Sequence, residues 1–283
     1  MLHLLSVMTQ AGLFFKYLFL WLLPNPAWMS VDMREQFIPG WSAWQGWLGV
    51  FAFISYGLLA LRLLLRGGSK GLFGFSLLYP WLLFLIEFSS IRVQEPFVLY
   101  RSYLWMPGLM LLVPLLLLSL PGRRTLLALG LFVLLMLPLA WNRLWVFSDN
   151  YQLWNDVVLL LPGEKVAGAD RIYFNRGQAH ENLKEWKAAG EDFERVIAIS
   201  PRLAPVYYHL GMAYLHQKRF EEALAQFDFS IAIDPKDARQ YTGKALALMS
   251  LHQSAESRKQ VEKGCELGDS TACMLYGIMG QKK

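Results

Sequence analysis

Two similar stretches decide the fold: residues 173–201, YFNRGQAHENLKEWKAAGEDFERVIAISP, and residues 207–235, YYHLGMAYLHQKRFEEALAQFDFSIAIDP. Five residue types recur 34 positions apart in the two stretches. The pairs are Tyr173 and Tyr207, Gly177 and Gly211, Ala189 and Ala223, Phe193 and Phe227, and Pro201 and Pro235. Glycine and alanine suit the close crossing of two helices, the aromatic rings fill the space beside it, and proline ends the second helix. The repeat therefore predicts stacked helical hairpins.

This period and residue pattern resemble the tetratricopeptide repeat. A third unit keeps the frame with Tyr241, Ala245 and Leu248, and it departs from the pattern at Ser257, Val261 and Asp269. It is predicted to be a terminal unit, because repeat units bury their faces only against neighbours and terminal ones are atypical. We expect a capping helix over 149–161 before the units and a short closing helix over 270–279 after them.

The composition of the remainder points to a membrane. The 283 residues are 55% hydrophobic and only 17% charged, below the quarter that is usual for soluble domains. Residues 1–162 contain 10 Lys/Arg and 6 Asp/Glu, whereas residues 163–283 contain 17 and 16. The chain therefore has a lipid-embedded part followed by a water-soluble part. The soluble part has no block of like charge, so we expect no nucleic-acid partner.

Five apolar stretches approach the roughly 20 residues that cross a bilayer. They are residues 2–23, 44–65, 72–88, 103–120 and 126–146. A signal peptide is the alternative for the first, which lacks the basic start and small-residue cleavage site of such a segment. The predicted fold is all-α: a polytopic bundle of about five spans over 1–146, a connecting and capping helix over 147–168, and a tetratricopeptide superhelix over 169–283.

Loop charge predicts the orientation of these spans. Arg62, Arg66 and Lys70 lie between the second and third spans, and Arg123 and Arg124 lie between the fourth and fifth. Neither loop contains an acid, whereas the alternate loops are mixed in sign. Because positive loops stay in the cytoplasm, the N-terminus is predicted inside and the repeats outside. In a bacterium, the chain would be a multi-pass inner-membrane protein with periplasmic repeats.

The only cysteines, Cys265 and Cys273, flank a Leu-Gly-Asp turn between two predicted helices. This spacing resembles the Sel1-like and cysteine-rich α/α repeats, and the resemblance implies a disulfide between the two residues. That pairing agrees with an outside location, where disulfides persist. The alternative is a pair of small buried apolar side chains. Two cysteines without nearby histidines offer too few ligands for zinc, so we expect neither a metal nor a cofactor.

Tetratricopeptide stacks bind extended peptides on the face lined by the first helix of each unit. The corresponding positions are Phe174, Gln178, Glu181, Tyr208, Met212, Leu215 and Leu246. Phe174 and Tyr208 stand where a carboxylate clamp would need its first basic residue, so a C-terminal carboxylate ligand is not expected. An apolar or aromatic segment fits better. The alternative is packing of this face against the membrane half of the same chain.

The order of elements resembles the C-terminal half of the TMTC-type O-mannosyltransferases, which have a GT-C glycosyltransferase membrane fold. Residues 15–32, 95–108 and 145–162 carry the resemblance, most specifically in Tyr100-Arg101-Ser102-Tyr103-Leu104. Arg92 and Arg101 can pair with a lipid phosphate or pyrophosphate to which Tyr103 would hydrogen-bond, and the resemblance implies that Arg101 and Tyr103 face a polyprenyl-phosphate sugar. An aromatic belt with snorkelling arginines is the alternative. The catalytic acids of that family lie in the first outer loop of a longer bundle, so no catalytic residue is assigned.

Three functional hypotheses follow. The first is a membrane-anchored repeat protein that binds a protein partner on the periplasmic side. The second is a partial or split glycosyltransferase that lacks its catalytic N-terminal half and uses a polyprenyl-phosphate sugar for protein O-glycosylation. The third is an assembly factor for the envelope or for pili. No nucleophile, phosphate-loop or metalloprotease motif is present.

Overall fold

The computed structural model describes residues 2–22, 29, 38–89, 106–117, 121–163 and 166–280. Within these ranges every regular element is helical, which confirms the all-α prediction. The chain divides into two compact units, residues 1–166 and residues 167–283. Each unit is described in turn.

The first unit contains seven α-helices in its described part. They are α1 Leu2–Leu22, α2 Trp44–Leu64, α3 Gly68–Phe84, α4 Met106–Met110, α5 Leu112–Leu117, α6 Gly122–Phe147 and α7 Asn150–Leu159. A 3₁₀ helix, Leu85–Ser89, continues α3. Among the described residues, the helices Trp44–Leu64, Gly68–Ser89 and Gly122–Phe147 are long and apolar enough to cross a membrane. They coincide with three of the five predicted spans.

Small residues bring α1, α2 and α3 close together. Gly46, Gly49 and Gly57 lie on one buried stripe of α2 with Phe53 and Ala60. A Cβ on Gly49 would lie 2.9 Å from the backbone nitrogen of Gly12 in α1, so only glycine allows this approach. The indole Nε1 of Trp81 donates a hydrogen bond to the carbonyl of Phe53 at 2.9 Å. Such small-residue crossings are typical of helices that associate in lipid.

The fourth predicted span differs from the continuous helix that its composition suggested. Where the structure describes it, α4 ends at Met110 and α5 begins at Leu112. Pro114 explains the break, because it lacks the N–H that would bond to the carbonyl of Met110 and its ring clashes with that carbonyl. The stretch therefore does not form one uninterrupted helix over 106–117.

An ion pair joins α6 to α7. Arg143 Nη2 lies 3.2 Å from Asp156 Oδ1, and both side chains are largely buried. Asp149 caps the N-terminus of α7, accepting hydrogen bonds from the backbone N–H groups of Tyr151 and Gln152. The helix that the sequence placed before the repeats therefore packs on the last apolar helix of the first unit.

The second unit is a stack of helical hairpins. Its helices are α8 Ala169–Asn182, α9 Trp186–Ile199, α10 Ala204–His216, α11 Phe220–Ile233, α12 Ala238–Ser250, α13 Ser254–Glu266 and α14 Ser270–Gly280. Helices α8, α10 and α12 are the first helices of successive hairpins. They meet one another more closely than α9, α11 and α13 do, so they line the inner side of the superhelix.

Glycine–phenylalanine contacts hold the hairpins at a fixed separation. A Cβ on Gly177 would lie 2.6 Å from the ring of Phe193, and one on Gly211 would lie 2.8 Å from the ring of Phe227. Phe227 also packs against the next hairpin, where a Cβ on Gly243 would approach its ring to 2.5 Å. Both phenylalanines are fully buried. The recurrent glycines and aromatic residues thus form the helix crossings that their spacing predicted.

The turns inside the hairpins repeat the same backbone conformation. Lys184, Lys218 and His252 have φ values of 62°, 63° and 61°, in the left-handed region that favours glycine. They lie 34 residues apart. In each turn the next residue donates its N–H to a carbonyl near the end of the preceding helix, as Arg219 does to Tyr214 at 2.9 Å. The 34-residue period therefore also applies to the backbone conformation of the turns, although the turn residues differ in chemical type.

The glycine contacts can be tested with Gly211→Ala. The added methyl would press on the ring of Phe227, and we expect a loss of about 1–3 kcal/mol in the local free energy of opening. Hydrogen exchange of α10 and α11 in the full chain measures this loss. The matched control is Gly190→Ala, whose Cβ would meet its nearest neighbour at 3.6 Å and should not weaken protection. Equal protection in both variants would contradict the crossing as described.

Candidate functional site

The inner face of the repeats carries the residues predicted to line a peptide groove. Phe174, Gln178 and Glu181 lie on α8, Tyr208, Met212 and Leu215 lie on α10, and Leu246 lies on α12. All seven side chains are partly exposed, neither fully buried nor fully solvated. A surface of this kind keeps apolar groups available to a ligand while the helices behind it hold them in place.

His209 connects the groove residues of the first two hairpins. Its ring packs edge-on against Phe174, with centroids 5.3 Å apart. Its Nδ1 lies 2.8 Å from Glu181 Oε2, and its Nε2 lies 3.5 Å from Gln178 Nε2. Three predicted groove residues of α8 therefore converge on one side chain of α10.

Tyr208 occupies the middle of the groove. Its ring lies 6.1 Å from that of Phe227 and 5.3 Å from the guanidinium carbon of Arg239. Burial raises the pKa of the Tyr208 hydroxyl, so this group is neutral at physiological pH. The hydroxyl makes no hydrogen bond to any residue that the structure describes. It is therefore available to a ligand as a donor or an acceptor.

Two carboxylates at the third hairpin complete the site. Asp237 pairs with Arg239, whose Nη2 lies 2.7 Å from Asp237 Oδ2, and this hydrogen bond lowers the pKa of the Asp237 carboxyl. Asp269 accepts a hydrogen bond from the hydroxyl of Thr242 and caps α14 through the N–H of Thr271 at 3.1 Å. This end of the groove thus contains two carboxylates and one guanidinium group.

A disulfide between Cys265 and Cys273 anchors the helix that Asp269 caps. It joins α13 to α14 across the turn at Gly268, with the two Cα atoms 4.5 Å apart. Gly268 has a φ of 95°, a conformation that glycine adopts without strain. Asp269 therefore lies within the short segment that this covalent link closes, bonded to Thr242 of α12.

Other predicted site residues lie outside the part that the structure describes. Arg92, Arg101 and Tyr103, the proposed contacts of a lipid phosphate, are among them. The lipid-phosphate site and a polyprenyl-phosphate sugar partner therefore stay predictions of the sequence alone.

His209, Arg239 and Asp269 belong to the site but were not predicted to line the groove. None of the three stands out in the sequence as a groove residue. His209 falls at a position where the next unit has Gly243, and Asp269 replaces the expected proline. Arg239 is the second residue of its helix and looks like a solvated charge. The available signal was their place beside predicted groove positions in the 34-residue frame.

Comparison with known sequences agrees with this geometry. Tetratricopeptide repeat profiles match residues 170–203 and 204–237. Two of the hairpins are tetratricopeptide repeats. Repeats of this kind are typical of protein-interaction modules, which use an extended concave surface to bind a partner. No curated protein sequence matches the chain.

Several solved structures share the repeat architecture. The crystal structure of MamA is 24% identical, with a TM-score of 0.38, and the match covers 43% of this chain and 68% of that one. The Arabidopsis OM64 TPR domain is 20% identical, with a TM-score of 0.40, and the match covers 43% and 100%. The TPR2B domain of yeast Sti1 in its pHsp70 complex is 21% identical, with a TM-score of 0.38, and the match covers 40% and 98%.

A double-mutant cycle on His209 and Glu181 tests the junction of the first two hairpins. His209→Ala should destabilise the repeats by about 1–3 kcal/mol, because the mostly buried Glu181 carboxylate loses its partner. Glu181→Ala should cost less in a background that already lacks His209, with a coupling energy of about 1 kcal/mol. Urea unfolding of the repeats measures both changes. Additive effects would show that the contact contributes nothing.

Proposed function

We propose that this chain is a membrane-anchored protein whose tetratricopeptide repeats bind an extended segment of a protein partner on the periplasmic side. The observation that carries the proposal is the half-exposed groove across α8, α10 and α12. Its apolar and aromatic residues, Phe174, Tyr208, Met212, Leu215 and Leu246, come from three successive hairpins. An extended peptide bridges such a row of pockets.

The occupant is a peptide with apolar or aromatic side chains. Met212 and Leu246 lie at equivalent places on neighbouring helices, 34 residues apart, and neither is fully buried by the repeats. Removing such side chains from water stabilises a complex by about 25 cal/mol per Å² of apolar surface. The proposed role is recruitment or assembly of a partner, and it requires no catalytic residue in the groove.

Membrane anchoring is supported by the first unit. Helices α2 and α6 and the segment Gly68–Ser89 are long and apolar enough to span a bilayer. The apolar stretch of α6 has no buried residue, which is the exposure expected of a helix surrounded by lipid. The basic residues from Arg62 to Lys70 and at Arg123–Arg124 lie at the ends of these helices, and they favour an orientation with the repeats outside the cytoplasm.

Peptide binding can be tested on the full chain in lipid nanodiscs. Peptides selected from a random library on this protein serve as probes, with affinity measured by fluorescence anisotropy. We expect the double variant Met212→Ala/Leu246→Ala to weaken binding about tenfold or more, because it removes apolar area from the groove. The control is Phe229→Ala, a side chain 57% exposed on α11, which should change affinity less than about twofold. Unchanged affinity in the double variant would rule out the groove as the binding surface.

The periplasmic location can be tested with the two cysteines. A membrane-impermeant maleimide added to intact spheroplasts should label Cys265 and Cys273 after a reductant opens their disulfide, and it should not label them before. These are the only cysteines of the chain, so no background site is present. Labelling that requires lysis of the membrane would place the repeats in the cytoplasm and overturn the orientation.

A further inference from the structure

Building on the proposed peptide-binding role, we infer that the groove selects a cationic segment. In this inference a lysine or arginine side chain, flanked by apolar residues of the same peptide, lies beside Tyr208. The carboxylates of Glu181 and Asp269 provide the complementary charge.

Four charged groups lie around Tyr208, namely the cation Arg239 and the anions Glu181, Asp237 and Asp269. The Arg239 guanidinium carbon lies 5.3 Å from the Tyr208 ring, Glu181 is bonded to the adjacent His209, and Asp269 is bonded to Thr242 of α12. Arg239 is already paired with Asp237, with Arg239 Nε 3.0 Å from Asp237 Oδ1 and Nη2 2.7 Å from Oδ2. Those two charges therefore offset each other. Glu181 and Asp269 remain as the two carboxylates beside Tyr208 that no described lysine or arginine pairs with.

Neither carboxylate is paired with a lysine or arginine among the described residues. Glu181 accepts a hydrogen bond from His209 Nδ1 at 2.8 Å. Asp269 accepts bonds from the Thr242 hydroxyl and the Thr271 N–H, both of which are neutral donors. The nearby Lys244 does not compensate them, because its ammonium lies 2.6 Å from Asp228. Around Tyr208, three carboxylates therefore face one guanidinium group.

A cationic side chain can form contacts beside Tyr208 that an anionic side chain cannot form. Its charge meets Glu181 and Asp269, its N–H groups can donate to the free hydroxyl of Tyr208, and its stem can lie on the Tyr208 ring. An acidic segment or a terminal carboxylate would face two unneutralised carboxylates, and like-charge juxtaposition selects against such partners. Met212, Leu215 and Leu246 lie on the same helices and would take the apolar side chains of the segment.

The test uses the full chain in nanodiscs and peptides selected from a random library. We expect the selected peptides to be enriched in lysine and arginine next to apolar residues. In the best of them, replacing the basic residue by glutamine should weaken binding about three- to ten-fold, and replacing it by glutamate should weaken it further. Raising the salt concentration should weaken the parent peptide more than the glutamine peptide.

Matched protein variants test whether the preference for a basic peptide residue arises in the groove. Glu181→Gln/Asp269→Asn should weaken the basic peptide about three- to ten-fold more than it weakens the glutamine peptide. Asparagine still caps α14, so the fold is retained. Glu191→Gln/Glu221→Gln removes two exposed carboxylates from α9 and α11 and should leave both affinities unchanged.

The outcomes separate this inference from the proposed function. Selected peptides without charge bias that still depend on Met212 and Leu246 would keep peptide binding and overturn the cationic preference. Enrichment of acidic peptides would overturn it as well. If no selected peptide depends on Met212 and Leu246, peptide binding in the groove is itself wrong, and the cationic preference falls with it.

Discussion

The contact of one phenylalanine ring with two helix backbones is the constraint on which the repeat architecture depends. Phe227 packs against Gly211 of its own hairpin and against Gly243 of the next one. A single ring therefore sets both the crossing within a hairpin and the distance to its neighbour. Because interiors are close-packed, a change at this ring alters both distances together. The width of the groove follows from the same contact, since its walls are the helices that the ring separates.

At its helix crossing, the third hairpin has other residue types than the first two hairpins but a similar packed volume. Where the first two hairpins combine glycine with phenylalanine, the third combines Ala245 with Val261, and both are fully buried. A smaller side chain on one helix is matched by a larger one on the other, as tolerated core exchanges require. The unit that departs most from the sequence pattern thus keeps a packed crossing, covered by Ala272 of α14.

The sequence predicted the elements whose physical cause is local and repeated. The hairpins followed from five residue pairs 34 positions apart, and three long apolar helices followed from hydropathy. The break before Pro114 was missed because composition alone does not weigh one proline in an apolar run. The role of His209 was missed for a different reason: its partners, Phe174, Gln178 and Glu181, come from another helix. Contacts made by a single residue across two hairpins leave no periodic signal.

The disulfide makes the two ends of the superhelix unequal. Each hairpin is stabilised by its neighbours, so a linear stack opens most readily at its terminal elements. The bond between Cys265 and Cys273 prevents α14 from separating from α13. The last two helices therefore leave the stack together rather than one at a time, so the terminal element that frays at this end is larger than a single helix.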